Sequence, residues 1–261
     1  MDKYEIFKQE VEKLIGINLN LYKEKQMKRR ITSLFARNDF KDFDDYLIGL
    51  KKDENLLNEF VNYLTINVSE FYRNPNQWKV LEDDIIPTFI KKWDNPPKIW
   101  SSACSTGEEP YSIVMLLSKF FDLKDINVLA TDIDLEAINK AKIGIYNKKS
   151  LENLPKEFKR KYFTPLQNTY KIKDEIKQCV TFKKIDLLKD SFTKNVDLIM
   201  CRNVMIYFTE AGKELLYKKF HNSLSDEGIL FVGSTEQIIL PNKHNFEPVK
   251  TFFYKKIRES N

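Results

Sequence analysis

The chain has 261 residues, of which 42% are hydrophobic and 13% aromatic, with 43 Lys and Arg against 38 Asp and Glu, a formal net charge of +5. This is room for one large domain or a small domain beside a medium one, and the modest positive excess permits an acidic partner without demanding nucleic acid. Two histidines and three cysteines with no CxxC spacing exclude a His-rich metal centre, a His-based nucleophilic triad and a disulfide framework, and there is no GxxxxGK[ST] loop for a nucleoside triphosphate.

The opening MDKYEIFKQE has no apolar signal core, and no apolar run approaches the ~20 residues that span a bilayer. The expectation is a soluble, reduced, cytoplasmic protein without membrane insertion. Residues 1–90 read as helical, with apolar positions at helical spacing in Met27, Ile31, Leu34 and Phe35 and again in Phe43, Tyr46, Leu47 and Leu50. Their expected division is a helical domain over 1–75 and a linker helix over 76–94. Within it, KEKQMKRRITSLFARND holds Lys23, Lys25, Lys28, Arg29, Arg30 and Arg37 against Glu24 and Asp39. On a helix Lys23, Arg30 and Arg37 recur every seven residues and share a face, expected opposite the core stripe. A charge run of this kind is ordinarily a solvated face.

Pro96-Pro97 breaks the chain, and from about residue 95 to 261 short β-rich runs alternate with helices. Strands are expected at Lys98–Ala103, Asn127–Thr131, Val180–Ile185, Val196–Cys201 and Gly228–Val232, with helices at Pro110–Phe120, Leu135–Lys142 and Glu210–Leu224. Such alternation predicts an α/β, Rossmann-like domain built on a mostly parallel sheet, with Thr251–Lys255 as an antiparallel edge strand. Its ligand site belongs at the C-terminal ends of the strands. Residues 145–179, rich in lysine, read as an insertion with a short strand near Tyr170–Lys173.

The first strand runs into CSTGEEPYS, a small-residue loop that lets backbone N–H groups and a helix N-terminus approach a polar ligand. Its single glycine, Gly107, is no dinucleotide fingerprint. Glu108 and Glu109 would repel a diphosphate, whereas an acid there suits a cationic amino group. Asp132 ends the second strand about 20 residues past the glycine, the usual place for a ribose-hydroxyl acceptor. Asp134 fits the following helix cap better than Asp132 does. Asp186 and Leu187 end the third strand, placed for an adenine amino group and its apolar face. Three strand ends bearing Glu108, Asp132 and Asp186 together describe an adenosine site.

With the fourth strand end, MCRNVMIYF (Met200–Phe208), the sequence resembles the chemotaxis receptor methyltransferases, the CheR family. NVSEFYRN (Asn67–Asn74), ACSTGEEPYS (Ala103–Ser112) and ATDIDLEAI (Ala130–Ile138) carry the same resemblance, in the family's order and spacing from about residue 5 to 254. It implies a small all-helical N-terminal domain, a Rossmann-like class I methyltransferase domain with a small β-subdomain insertion at about 145–179, and S-adenosyl-L-methionine bound between the two domains, with S-adenosyl-L-homocysteine as product. Carried over residue by residue, Asn67, Ser69 and Arg73 reach the cofactor from the inter-domain segment. Ala103, Glu108, Asp132, Ile133, Asp186, Leu187, Arg202, Asn203 and Val204 line it from the strand ends. Arg73 and Tyr207 are implied beside the transferred methyl as the catalytic pair. Ser69 stands where the family often has Thr, and Asp186 where some relatives have Asn.

The resemblance further implies methyl transfer to glutamate side chains of methyl-accepting chemotaxis receptors, with Lys23, Arg29, Arg30 and Arg37 gripping their acidic helices. Such a carboxylate is already a nucleophile at neutral pH, so no general base is needed. TPLQNTYKI in the insertion lacks the glycine-containing loop with which some relatives dock a receptor tail, and recognition without a tail peptide is expected. No metal, no nucleic acid and a monomeric state are expected too. The rival readings are a methyltransferase of a small molecule or RNA, and a non-catalytic cofactor-binding scaffold. Cys104 and Cys201 are expected as small buried residues at adjacent strand ends.

Overall fold

The computed structural model describes residues 2–65, 68–90 and 96–258. The chain forms two compact units, Met1–Ile66 with Val204–Leu216, and Asn67–Asn203 with Tyr217–Asn261.

The first unit is helical. Helix α1 (Lys3–Ile15) starts where Asp2 accepts from the Tyr4 N–H and stops at left-handed Gly16. Helices α2 (Glu24–Arg37), α3 (Phe43–Lys52) and α4 (Glu54–Leu64) follow, with Asp42 and Asp53 capping the last two. Their apolar stripes meet in a core of Tyr4, Phe7, Phe35, Phe43, Tyr46 and Phe60, all buried, with Phe7 edge-on to Phe60. The returning segment adds a turn at Met205–Tyr207, whose Tyr207 carbonyl accepts from the Lys23 N–H at 2.9 Å.

One expectation fails here. Arg30 and Arg37 do not stand opposite the core stripe. Both guanidinium groups lie over the Tyr63 ring of α4; Arg30 donates to the Tyr63 carbonyl, and Arg37 pairs with Glu59 at 2.5 Å. At 3.6 residues per turn Arg30 projects only about 40° from Leu34, so a seven-residue repeat flanks the stripe.

The second unit begins with the segment from 68 and a helical run whose described part reaches residue 90: α5 (Pro75–Val80), a wider π turn over Leu81–Ile85, and α6 (Ile86–Ile90). Trp78, Leu81, Ile85, Ile86 and Phe89 are buried in the core of this unit. The contact division therefore falls ahead of residue 75, because this run spends its apolar face on the sheet-bearing unit.

Then come β1 (Ile99–Ser101), α7 (Glu108–Leu117), β2 (Val128–Asp132), α8 (Leu135–Ile143), β3 (Ile145–Asn147), α9 (Lys156–Tyr162), β4 (Phe163–Leu166), β5 (Thr169–Ile172), α10 (Asp174–Lys177), β6 (Val180–Lys184), β7 (Val196–Cys201), α11 (Glu210–Ser223), β8 (Leu224–Val232), β9 (Phe246–Lys250) and β10 (Phe253–Lys256). Among the described residues seven strands form one sheet in the order β6-β2-β1-β7-β8-β10-β9, parallel from β6 to β8. The central strands are buried on both faces, as their continuous apolar runs require. The final aromatic strand is antiparallel to β8, as expected, but it is not the edge: β9 pairs outside it. Strand order reverses beside β1, the switch point where α/β sheets bind ligands.

The insertion forms a separate antiparallel sheet, β3-β5-β4. Its β4–β5 hairpin turns through Gln167-Asn168, with Gln167 at φ 32°. No helix among the described residues is long and apolar enough to cross a membrane.

Candidate active site

The loop from β1 to α7 is shaped by backbone that few residues tolerate. Ser105 has φ 46° and Gly107 φ 94°. A Cβ on Gly107 would stand 2.8 Å from the Ala141 side chain and 3.1 Å from the Tyr146 hydroxyl, so only glycine fits. The loop is pinned from neighbouring strands: Ser102 N–H donates to the Met200 carbonyl at 2.9 Å and Cys104 N–H to the Thr131 carbonyl at 2.8 Å.

Acids surround this loop. Asp132, 7% exposed, accepts from the Ser105 N–H at 2.7 Å and from the Asp134 N–H at 3.0 Å. Asp134 caps α8 through the Glu136 and Ala137 N–H groups. Thus Asp132 orders the glycine loop and retains lone pairs for a further donor. Glu108, in the first turn of α7 and 3% exposed, accepts from the Thr106 hydroxyl at 2.6 Å. Burial raises the pKa of both carboxyls, opposed by these hydrogen bonds and, at Glu108, by the Ser69 hydroxyl. Asp186, half-buried after β6 and raised by burial as well, accepts from the Leu188 N–H at 2.9 Å, beside buried Leu187. Ala103 and Ile133 are half-buried on the first two strand ends.

Arg73 sits on a strained corner. Its neighbours Tyr72 and Asn74 both have left-handed backbone, φ 53° and 60°, a conformation costing roughly 1–3 kcal/mol for such residues. The corner is held because the Tyr72 ring is buried against Trp78 and the Trp78 indole N–H donates to the Arg73 carbonyl at 3.0 Å. Arg73 itself donates to the Val68 carbonyl at 3.0 Å.

Arg202, after β7, is committed to the protein's own groups. Its side chain is 2% exposed and meets Glu109 at 3.3 Å, the Arg73 carbonyl at 2.7 Å and Gln77 Oε1 at 2.8 Å. Its guanidinium also lies over the Phe231 ring. Glu109 is raised by burial and held down by Arg202. The pair clamps the Arg73 corner onto the ends of β1 and β7. Sequence reasoning missed the roles of Glu109, Gln77 and Glu236, the last accepting from the Asn203 and Gly233 N–H groups. No local signal announced these roles, since Glu109 stands 93 residues from Arg202.

Of the expected site residues, Ser69, Arg73, Ala103, Glu108, Asp132, Ile133, Asp186, Leu187, Arg202 and Asn203 belong to the second unit, mostly at strand ends. Val204 and Tyr207 belong to the first. Asn67 lies outside the described residues. A left-handed glycine loop that excludes a Cβ, with carboxylates after β1 (Glu108), at the end of β2 (Asp132) and after β6 (Asp186), suits an adenosine carrying a cationic amino acid tail. Cys104 and Cys201 are buried, free thiols, and burial pushes both well up from the ordinary thiol range.

In comparisons with known proteins, the family described as CheR methyltransferase, SAM binding domain, matches residues 67–254, and CheR methyltransferase, all-alpha domain, matches residues 2–65. A chemotaxis protein methyltransferase of Listeria innocua is 41% identical over 253 residues, covering 97% of each chain. One of Borreliella burgdorferi is 35% identical over 254 residues, covering 92% of this chain and 89% of that one. One of Escherichia coli is 32% identical over 231 residues, covering 85% and 79%.

Proposed function

Because the chain belongs to the CheR methyltransferase family and carries its SAM-binding domain, we propose that it esterifies glutamate carboxylates of methyl-accepting chemotaxis receptors, with S-adenosylmethionine as methyl donor. The observation that carries this reading is the corner at Arg73, whose backbone carbonyl accepts from Arg202 of the buried Arg202–Glu109 pair, beside the acid-lined glycine loop.

In this reading Glu108 takes the amino group of the cofactor, Asp132 the ribose hydroxyls, and Asp186 with Leu187 the adenine. Ser69, Ala103, Ile133, Arg202, Asn203 and Val204 complete the wall, with Asn67 from the segment outside the described residues. The cofactor supplies a methyl group on a positively charged sulfur. A glutamate side chain, with a reference pKa near ~4.3, arrives ionised. Held by these residues, the cofactor would give its methyl to that oxygen and keep the bonding electron pair on sulfur as a neutral thioether. No proton moves, so no base is needed.

The protein's work is alignment, which supplies roughly 7–11 kcal/mol in favourable cases. Arg73 orients the carboxylate through its planar fork, and Tyr207 through its hydroxyl. Lys23, Arg29 and Arg37 steer the acidic receptor helices, while Arg30, expected to join them, braces α2 on Tyr63. The expected limits, 1–75, 76–94 and 95–261, place the basic residues of receptor binding together with Ser69 and Arg73 in the first, the linker in the second and the strand-end residues in the third. Recognition is direct: the turn of the small sheet carries Gln167-Asn168 and no glycine loop for a tail peptide.

The test is transfer of labelled methyl from S-adenosylmethionine to receptor signalling domains of the same organism, with and without their C-terminal tails. Base-labile label on tailless receptor, lost on Glu→Ala changes in it, supports the reading. Label confined to tailed receptor overturns direct recognition, and no label at all overturns the receptor substrate.

A further inference from the structure

Glu236 has no part in the reading above, yet it joins the ends of two neighbouring strands. β7 and β8 run parallel with Cys201 opposite Val232. Beyond that register the chain leaves β7 through Arg202 and Asn203, and β8 through Gly233. Glu236 Oε2 accepts from the Asn203 N–H at 2.5 Å and from the Gly233 N–H at 2.9 Å. Asn203 is left-handed, φ 60°. The carboxylate is enclosed: Glu236 is 6% exposed, and a Cβ on Gly233 would lie 2.3 Å from Oε2, 2.9 Å from the Asn203 nitrogen and 3.1 Å from Asn203 Nδ2. Glycine at 233 thus makes the space in which an acid three residues later folds back over both strand ends.

We propose that Glu236 is a positioning residue for the cofactor site: its carboxylate fixes the left-handed turn at Asn203 and so sets where the Asn203 side chain stands. The inference rests on the assignment of Asn203 to the cofactor. Its chemistry is narrow. These two bonds both end on Oε2 and both their donors are backbone N–H groups, so for the turn at Asn203 an acceptor at that point is what matters. Gln supplies a carbonyl oxygen there. Asp is one methylene too short to reach, and Ala leaves two enclosed N–H groups without their acceptor.

The test uses the full chain as E236Q, E236D and E236A, with N203A as control, and reads S-adenosylhomocysteine binding by calorimetry, KM and kcat of methyl transfer, and thermal unfolding. E236D and E236A are expected to weaken binding and raise KM for S-adenosylmethionine by about tenfold, the loss of one well-made polar contact, with kcat nearly kept. E236Q is expected within about threefold of the parent, the cost of exchanging a charged acceptor for a neutral one. Parent-like binding by E236A while N203A is weak would overturn the inference. So would equal losses in E236Q and E236D, a pair that decides the matter even where E236A does not fold. Parent-like binding by N203A would overturn the assignment of Asn203, and this inference with it.

Discussion

The hydroxyl of Tyr146 donates to the carbonyl of Thr106 at 2.8 Å, tying the first strand of the small sheet to the tip of the glycine loop. The Tyr146 ring also stands edge-on to Phe71, centroids 4.8 Å apart, two residues before Arg73. Tyr146→Phe keeps the ring and removes the bond. Urea unfolding is expected to show a loss of about 1–2 kcal/mol, since a part-buried carbonyl loses its donor. A parent-like midpoint would show the bond contributes nothing.

The raised carboxyls fix the pH response. Folding raises the pKa of Glu108 and Asp132 by burial, so each binds its proton more tightly in the folded chain than in the unfolded one. The free protein therefore loses stability as pH rises from the ordinary carboxylate range through the raised values. On the proposed assignment cofactor binding runs the other way, because the ionised acids would take the amino group and the ribose hydroxyls. Calorimetry from about pH 8 down to about pH 5 is expected to show affinity falling on acidification, up to about tenfold per unit for each acid below its pKa. Asp132→Asn should weaken binding at neutral pH and flatten the curve.

Arg202 and Glu109 form a buried pair, with side chains 2% and 12% exposed. Arg202→Ala strands the acid and frees the Arg73 corner, and is expected to cost about 3–5 kcal/mol in denaturant unfolding. Glu109→Gln should also destabilise, and the double change should cost less than the sum of the two. Additive losses would show that the pair does not act as a unit.

Arg73 answers to kinetics. Arg73→Ala is expected to lower kcat of receptor methylation about 100-fold, within the range ascribed to a positioned group, and by more than it weakens cofactor binding. Arg73→Lys keeps the charge without the fork and should fall between. Equal losses in kcat and in cofactor affinity would leave Arg73 a wall of the pocket only.

The basic residues of α2 divide by what they touch. Arg29 is exposed; Arg37 is exposed too but lies over Tyr63, and Arg30 is half-buried against that ring. Arg29→Glu is expected to raise KM for receptor several-fold at low salt, an effect that fades as ionic strength shortens the screening length below about 8 Å. Arg30→Ala should instead lower stability, through lost packing on the Tyr63 ring. Salt-independent loss in Arg29→Glu would sink the steering role.

Legibility followed chain distance. The parallel strands and the Asp134 cap were readable because β-rich runs and caps are local signals, and CSTGEEPYS announced a tight loop. β9 escaped because its outward residues are exposed and include a proline, Pro248, which edge strands tolerate and sequence patterns discount. β3 and β4 are three and four residues long, too short for alternation to declare itself. The Arg202–Glu109 pair joins residues 93 apart, and Glu236 reaches Asn203 across 33. Nothing in a linear string distinguishes such acids from solvated ones. The left-handed Tyr72 was unreadable for the opposite reason: its local preference opposes the conformation that packing on Trp78 imposes.

The return of Val204–Leu216 to the helical unit has a consequence for how the chain is born. Thr209 N–H donates to the Leu21 carbonyl at 2.9 Å, and Tyr22 meets Phe208 edge-on at 5.0 Å. Helices α1 to α4 leave the ribosome early, yet the piece that covers Tyr22 is made only after β7 has been synthesised. The first unit in sequence is therefore completed late in synthesis, out of step with the usual order in which the domain made first is finished first. A cut at residue 66 would separate two stretches of polypeptide without separating two complete folds.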